Sequence, residues 1–199
     1  MKHLIDHARS FPRRTEQHPQ DFRHLALGQS PHALFITCSD SRVVPSLITG
    51  ARPGELFELR TAGNAVPRYT VERPSGEAAT IEYAVGVLGV PDIVVCGHSH
   101  CGAVGARVHG ADLSSVPAVA GWLDTQLPDD LGELREDQGA GVAAAAQRNV
   151  REQMARLRQY PCVAERLADG RLRVHGWFYA VDTGLVLAHR PSVDAFLPL

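Results

Sequence analysis

Short apolar runs alternate along this chain with segments of helical periodicity. "ALFITC" at 33–38 and "DIVVCG" at 92–97 are apolar, partly β-branched and too short for helices, so both read as buried strands. "ELFELRTAG" at 55–63 alternates and ends in small residues, which predicts another strand. Between them, "VVPSLITG" at 43–50 predicts a short helix stopping at Gly50, and "GNAVPRYTVERPSGE" reads as loop. Ile81, Val85 and Leu88 set a helical spacing through "AATIEYAVGVLGV" at 78–90, and "CGAVGARV" opens another helix. Residues 116–159 read as helical throughout, clearest in "GVAAAAQRNVREQMARLRQY" and stopped by Pro161. "RLRVHGWFYAVDTGLVLAH" at 171–189 reads as strand, turn at Asp182-Thr183-Gly184, and strand. In the polar residues 1–30, Phe22, Leu25 and Leu27 suggest a helix from Pro19 to near Gly28.

Strands alternating with helices predict an α/β fold: a mostly parallel central sheet flanked by helices, closed by a C-terminal strand pair. Ligands of such sheets sit just beyond the carboxyl ends of the strands. Cys38 closes one strand there, and His98 follows another.

Composition narrows the function classes. A chain of 199 residues fits one domain and buries roughly 70% of its unfolded surface without a covalent staple. The formal charge of −2, with no long basic block, argues against nucleic acid or anionic lipid as partner. No run approaches the ~18 apolar residues of a membrane span, and the first residues lack the apolar core of a secretion signal. The expectation is a soluble cytoplasmic protein. In that reducing compartment four cysteines favour metal binding, catalysis or core packing over disulfides.

The chemistry concentrates in "CSDSR" at 38–42 and "GHSHCGAV" at 97–104. His98 and Cys101 form a His-x-x-Cys pair, and Cys38 adds a thiol from another strand end. Zinc favours such sulfur and imidazole donors, and three protein ligands leave the open position of a catalytic site. Cys101 falls at a helix N-terminus, where the dipole favours a thiolate. Asp40 is placed to ligate the metal or take a proton from its water, and Arg42 to clamp Asp40 bidentately. The plainer alternatives are buried cysteines in tight turns and a surface ion pair, and spacing alone leaves them open. Cys96 and Cys162 read as small core residues and His100 as exposed. The glycines of 97–105 match no phosphate-binding loop; they read as allowing a tight turn.

"CSDSR", "PGELF", "RTAGN", "IEYAV", "VCGHSHCGA" and "VHGWFY" follow the order found in the β-class carbonic anhydrases, and the chain resembles that family from about Gly28 to Leu187. The resemblance implies Zn²⁺ on Cys38, His98 and Cys101, with Asp40 and Arg42 as catalytic dyad. It implies that Gln29 donates a hydrogen bond to bicarbonate from an adjacent subunit, and that Phe57, Tyr83 and Gly102 belong to the carbon dioxide pocket. Ala62 stands where many relatives carry valine, so that pocket is expected to be roomier. The family forms dimers that exchange N-terminal arms, here residues 1–30, and dimers pair into tetramers. The implied reaction is zinc-dependent, reversible hydration of carbon dioxide to bicarbonate and a proton by zinc-bound hydroxide. A carbon disulfide or carbonyl sulfide hydrolase, or a non-catalytic bicarbonate sensor, is the alternative on the same scaffold. Some relatives carry an inhibitory bicarbonate site built from tryptophan, arginine and tyrosine. Arg60 and Tyr179 match two of these, but Phe35 has no N–H to donate. Arg60 is then expected as a structural ion-pair residue and Tyr179 as a half-buried strand residue.

Overall fold

A computed structural model describes residues 1–16, 20–131 and 138–199. Six strands form one sheet in the order β2-β1-β3-β4-β5-β6: β1 (Ala33–Cys38), β2 (Leu56–Thr61), β3 (Asp92–His98), β4 (Arg173–Tyr179), β5 (Val186–Arg190) and β6 (Ala195–Pro198). The first four run parallel, and β5 and β6 add antiparallel. Every residue of β1 is buried, as its continuous apolar run requires of a strand covered on both faces. Its one hydroxyl, Thr37 Oγ1, donates to the Cys96 carbonyl at 2.9 Å. The expected strand pair is β4 and β5; the short β6, ending at Pro198, extends it as an edge where proline is tolerated.

Chain direction fixes where a site forms. From β1 the chain moves outward to β2, whereas from β3 it moves the opposite way to β4. The adjacent carboxyl ends of β1 and β3 therefore flank the point where the crossovers diverge, the usual crevice of an open parallel sheet.

Helices α1 (Lys2–Thr15) and α2 (Gln20–Arg23), followed by a tight turn at His24–Leu27, form the N-terminal arm. The expected start at Pro19 lies outside the described residues. Helix α3 (Pro45–Thr49) links β1 to β2 and stops at Gly50 as predicted. Helix α4 (Gly76–Glu82) starts where Ser75 Oγ accepts the Ala78 N–H at 3.1 Å. The expected helix through residue 90 instead widens into a π-turn at Tyr83–Val87, where the Leu88 N–H reaches back to the Tyr83 carbonyl.

Helix α5 (Gly102–Val108) follows Cys101 directly, and then come α6 (Pro117–Gln126), α7 (Gln138–Leu157) and α8 (Pro161–Ala168). Residues 116–159 are thus not helical throughout: Leu127 is extended, because the Pro128 ring disfavours helical backbone before it. Pro161 ends one helix but also opens α8, its fixed φ suiting a first turn. Cys162 consequently lies inside α8 and is only half-buried.

Helix α7 lies across β3 and β4. Two glycines permit this approach. A Cβ on Gly97 would stand 2.7 Å from Val150 Cγ2, and one on Gly176 would stand 2.5 Å from Met154 Sδ.

Candidate metal centre

Two chain segments close around one point beyond the β1 and β3 ends. Strand β1 ends on Cys38, and β3 ends on His98 itself, one residue later than the sequence reading placed the strand end. Cys101 precedes the first turn of α5. All three side chains are buried, and their ligand atoms lie within 4.8 Å of one another. The two sulfurs are 4.0 Å apart, against about 3.8 Å for two thiolates on a tetrahedral zinc with ~2.3 Å bonds.

His98 supplies the test of whether a metal fits. A carbonyl only accepts, so Nδ1 carries the proton it donates to the Ser99 carbonyl at 2.8 Å. This leaves the Nε2 lone pair facing the sulfurs, buried and without a protein hydrogen-bond partner. A fixed tautomer with a free inward nitrogen is what a metal-binding imidazole needs. Ser99 is held in turn: its N–H donates to the Tyr179 carbonyl, and its hydroxyl accepts the Val181 N–H at 2.9 Å.

The two thiols lie within hydrogen-bond reach of each other. A hydrogen bond from Cys101 chiefly lowers Cys38 to about 4, with further help from His98 and from the Asp40 and Gly63 N–H groups. The Cys101 thiol is pushed up, first by its bond to the Cys38 sulfur and then by burial. The expected helix effect on Cys101 is present, through the Val104 and Ala103 N–H groups, but a neighbouring thiolate and burial outweigh it. A metal that takes both thiolates therefore displaces a proton.

Asp40 and Arg42 form the expected clamp. Arg42 Nε donates to Asp40 Oδ1 at 2.9 Å and an Nη to Oδ2 at 2.7 Å, and the Arg42 backbone N–H adds a bond to Oδ1 at 2.9 Å. The guanidinium hydrogen bonds hold the carboxyl well below the usual carboxylate range. Asp40 Oδ2 lies 3.9 Å from His98 Nε2, at the edge of the metal-binding set. The same Arg42 Nη reaches the His100 carbonyl at 3.0 Å and so bridges the two loops. His100 is exposed as expected, with a left-handed φ of 54°.

Arg60 is not the expected ion-pair residue. It donates to the carbonyls of Cys38, Asp40 and Val43, at 3.0, 2.8 and 2.7 Å, and staples the loop that carries the clamp. Nothing in the local pattern of a strand distinguishes an arginine aimed at carbonyls from one aimed at a carboxylate. Tyr179 is half-buried as expected, and Phe35 is buried edge-on against Trp177.

The remaining candidates are not gathered by one chain. Gln29 is exposed before β1, at the end of the strand opposite Cys38. Phe57 and Tyr83 pack together with ring centroids 6.0 Å apart. Phe57 pairs with Leu34 while Thr61 pairs with Cys38, which sets the aromatic pair about 13 Å back along the sheet. Gly102 opens α5 beside Cys101 and is exposed.

Comparison with known proteins decides the family. The carbonic anhydrase family profile matches residues 33–186. The chain belongs to the β-class carbonic anhydrases. A carbonic anhydrase of Pseudomonas aeruginosa is 48% identical over 205 aligned positions, covering 100% of this chain and 92% of the relative. Carbonic anhydrase 1 of Escherichia coli O157:H7 is 42% identical with the same coverage. Among solved structures, the β-carbonic anhydrase CcaA superposes with a TM-score of 0.91 at 36% identity, covering 100% of this chain and 99% of that one. A tetrameric β-carbonic anhydrase of Sordaria macrospora gives 0.74 at 31% identity, with 94% of each chain covered. Membership makes the chain an enzyme, and the family's reaction is the hydration of carbon dioxide.

Proposed function

We propose that the chain binds one zinc ion through Cys38 Sγ, His98 Nε2 and Cys101 Sγ and hydrates carbon dioxide reversibly to bicarbonate and a proton. The convergence of these three buried ligand atoms beside the Asp40–Arg42 clamp carries the reading. Zinc held there supplies a Lewis acid that makes water a nucleophile near neutral pH. Asp40, ionised and held by Arg42, accepts a hydrogen bond from water or hydroxide entering the site and orients its lone pair toward the substrate carbon. The clamp also keeps Oδ2 from swinging onto the metal.

Gln29, Phe57 and Tyr83 serve the substrate pocket across a subunit boundary. The distance of the Phe57–Tyr83 pair from the metal ligands of its own chain supports this assignment. So does the arm: α1 buries none of its side chains, leaving Leu4 and Phe11 exposed, and Leu27 beyond it is 90% exposed. We assign residues 1–30 to the surface of a partner subunit, the chain forming a single domain that assembles as a homodimer or tetramer. A cytoplasmic setting suits the free thiols that the metal requires. Among the described residues no helix is long and apolar enough to cross a membrane.

The test is stopped-flow carbon dioxide hydration on protein of measured zinc content. Wild type is expected to carry one zinc per chain and to hydrate carbon dioxide, whereas Cys101→Ser loses both. A fully active protein without zinc refutes the reading.

A further inference from the structure

The second half of α7 and the turn after β5 enclose a cleft of about 130 Å³ that the metal centre does not use. Arg151, Met154 and Arg158 of α7 line one side, and His189 of β5 and Pro191 line the other. The three α7 residues recur at helical spacing and so share one face of the helix. Gly176 of β4 lets that face and His189 close together. A Cβ there would stand 3.3 Å from His189 Cβ as well as meeting Met154. The cleft shares no residue with the metal ligands, nor with Phe35, Arg60 or Tyr179.

Its charges do not balance. Asp194, in the turn between β5 and β6, accepts an Arg151 Nη at 3.1 Å and His189 Nε2 at 2.9 Å, and so orients both side chains. Arg158 pairs with no carboxylate among the described residues; one Nη donates to the Met154 carbonyl at 3.2 Å. A guanidinium has five N–H donors, so most of those on Arg158 are left for another acceptor. One carboxylate thus stands against two guanidinium groups. His189 adds a second unmet demand. A carboxylate only accepts, so Nε2 carries the proton given to Asp194, and in the neutral ring Nδ1 is a lone pair. The His189 side chain is only 10% exposed, and its Nδ1 is buried with no hydrogen-bond partner. A buried acceptor left without a donor costs stability.

We propose that this cleft binds a small hydrogen-bearing oxyanion, with its charged oxygens on Arg151 and Arg158 and its hydroxyl turned to His189 Nδ1. Guanidinium groups favour planar or tetrahedral oxyanions, and a ligand hydroxyl supplies the donor that the imidazole lacks. Monohydrogen phosphate and bicarbonate both have this chemistry. Sulfate has the size and charge but no hydrogen at neutral pH, so it satisfies the arginines and leaves Nδ1 unmet.

The experiment titrates inorganic phosphate, and separately sulfate, into the metal-containing protein by isothermal titration calorimetry. Phosphate is expected to bind at least about 10-fold more tightly than sulfate, because a site with a buried acceptor rejects an analogue that cannot donate to it. Arg158→Gln, at an exposed position outside the metal centre, is expected to weaken phosphate about 10-fold and to leave carbon dioxide hydration in phosphate-free buffer unchanged. Bicarbonate as competitor separates the two sources: displacement of phosphate assigns the cleft to the product of the family's reaction, and phosphate that stays bound assigns it to phosphate. Both results support a site for this class of anion. Wild type that takes up no phosphate saturably, sulfate that binds as tightly as phosphate, or an Arg158→Gln affinity within about twofold of wild type overturns the proposal.

Discussion

Replacing Gly97 by alanine tests the contact on which the metal centre leans. The new Cβ would stand 2.7 Å from Val150 Cγ2 and 3.3 Å from the Ala146 carbonyl. Carbon atoms settle about 3.5–4.0 Å apart, so the first contact is short by roughly 1 Å. Val150 has little rotamer freedom to yield, being β-branched and helical. Relief must come from α7 lifting off β3, and overpacking of this kind costs about 1–3 kcal/mol. For a chain of this size each kcal/mol moves Tm by about 2–4 °C, so a drop of ~2–12 °C is expected. Because His98 follows immediately, zinc retention should fall as well. Gly121→Ala is the internal control: Gly121 is exposed in α6 and meets nothing within 4 Å. There alanine stabilises by about 0.4–1 kcal/mol, largely through the unfolded chain. Calorimetric melts at one fixed protein concentration decide the matter, since assembly couples to Tm. Shifts of the same sign for both substitutions, or a Gly97→Ala melt at or above wild type, refute the packing argument.

Arg42→Ala should cut carbon dioxide hydration by about 10²-fold or more in stopped-flow assays, the scale of a lost proton-handling group. Arg42→Lys should recover only part of it, because an ammonium cannot form the two-pronged contact; near-normal turnover in the alanine variant sinks the clamp. On the zinc reading, two thiolates and a neutral imidazole would cancel the ion's formal charge and leave a bound water less acidic than three imidazoles would, so activity should climb through mildly alkaline pH. Asp40 is already ionised across that range and adds no step to the profile, so a rate flat from about pH 6 upward contradicts this. Asp92 is held low chiefly by the Arg173 hydrogen bonds and then by His175. Its stabilisation is therefore complete above the unfolded pKa and lost as pH falls through the lower folded one. The urea-midpoint gap between wild type and Asp92→Asn should be open at neutral pH and close below about pH 4. A gap independent of pH refutes it.

Much of the site was legible because its information is local. A six-residue apolar, partly β-branched run bounded by turns reads as a buried strand, and its last residue, Cys38, then lies at the carboxyl end of the sheet. His98 and Cys101 are set by one tight turn, and Asp40 and Arg42 are close enough in sequence to meet whatever the rest of the fold does. The errors fell where local rules compete. Alanine-rich periodicity hid the break at Leu127, although Pro128 announced it. Asn149 and Gln153 look like ordinary polar positions until their places in the buried stripe of α7 are counted.

The sequence by itself determined the alternation of strands with helices, the end of β1 at Cys38, and which side chains have the chemistry for a metal, because periodicity, turn residues and donor type act over a few neighbours. Only the tertiary structure decided that β1 and β3 lie side by side, bringing two sulfurs to 4.0 Å, and that Phe57 and Tyr83 end up far from the ligands of their own chain. It also decided that the Asn149 side-chain amide, 86 residues from Gly63, would donate to the Gly63 carbonyl. Strand order and the approach of α7 follow from packing distant segments around one core, and no short window of sequence contains that balance.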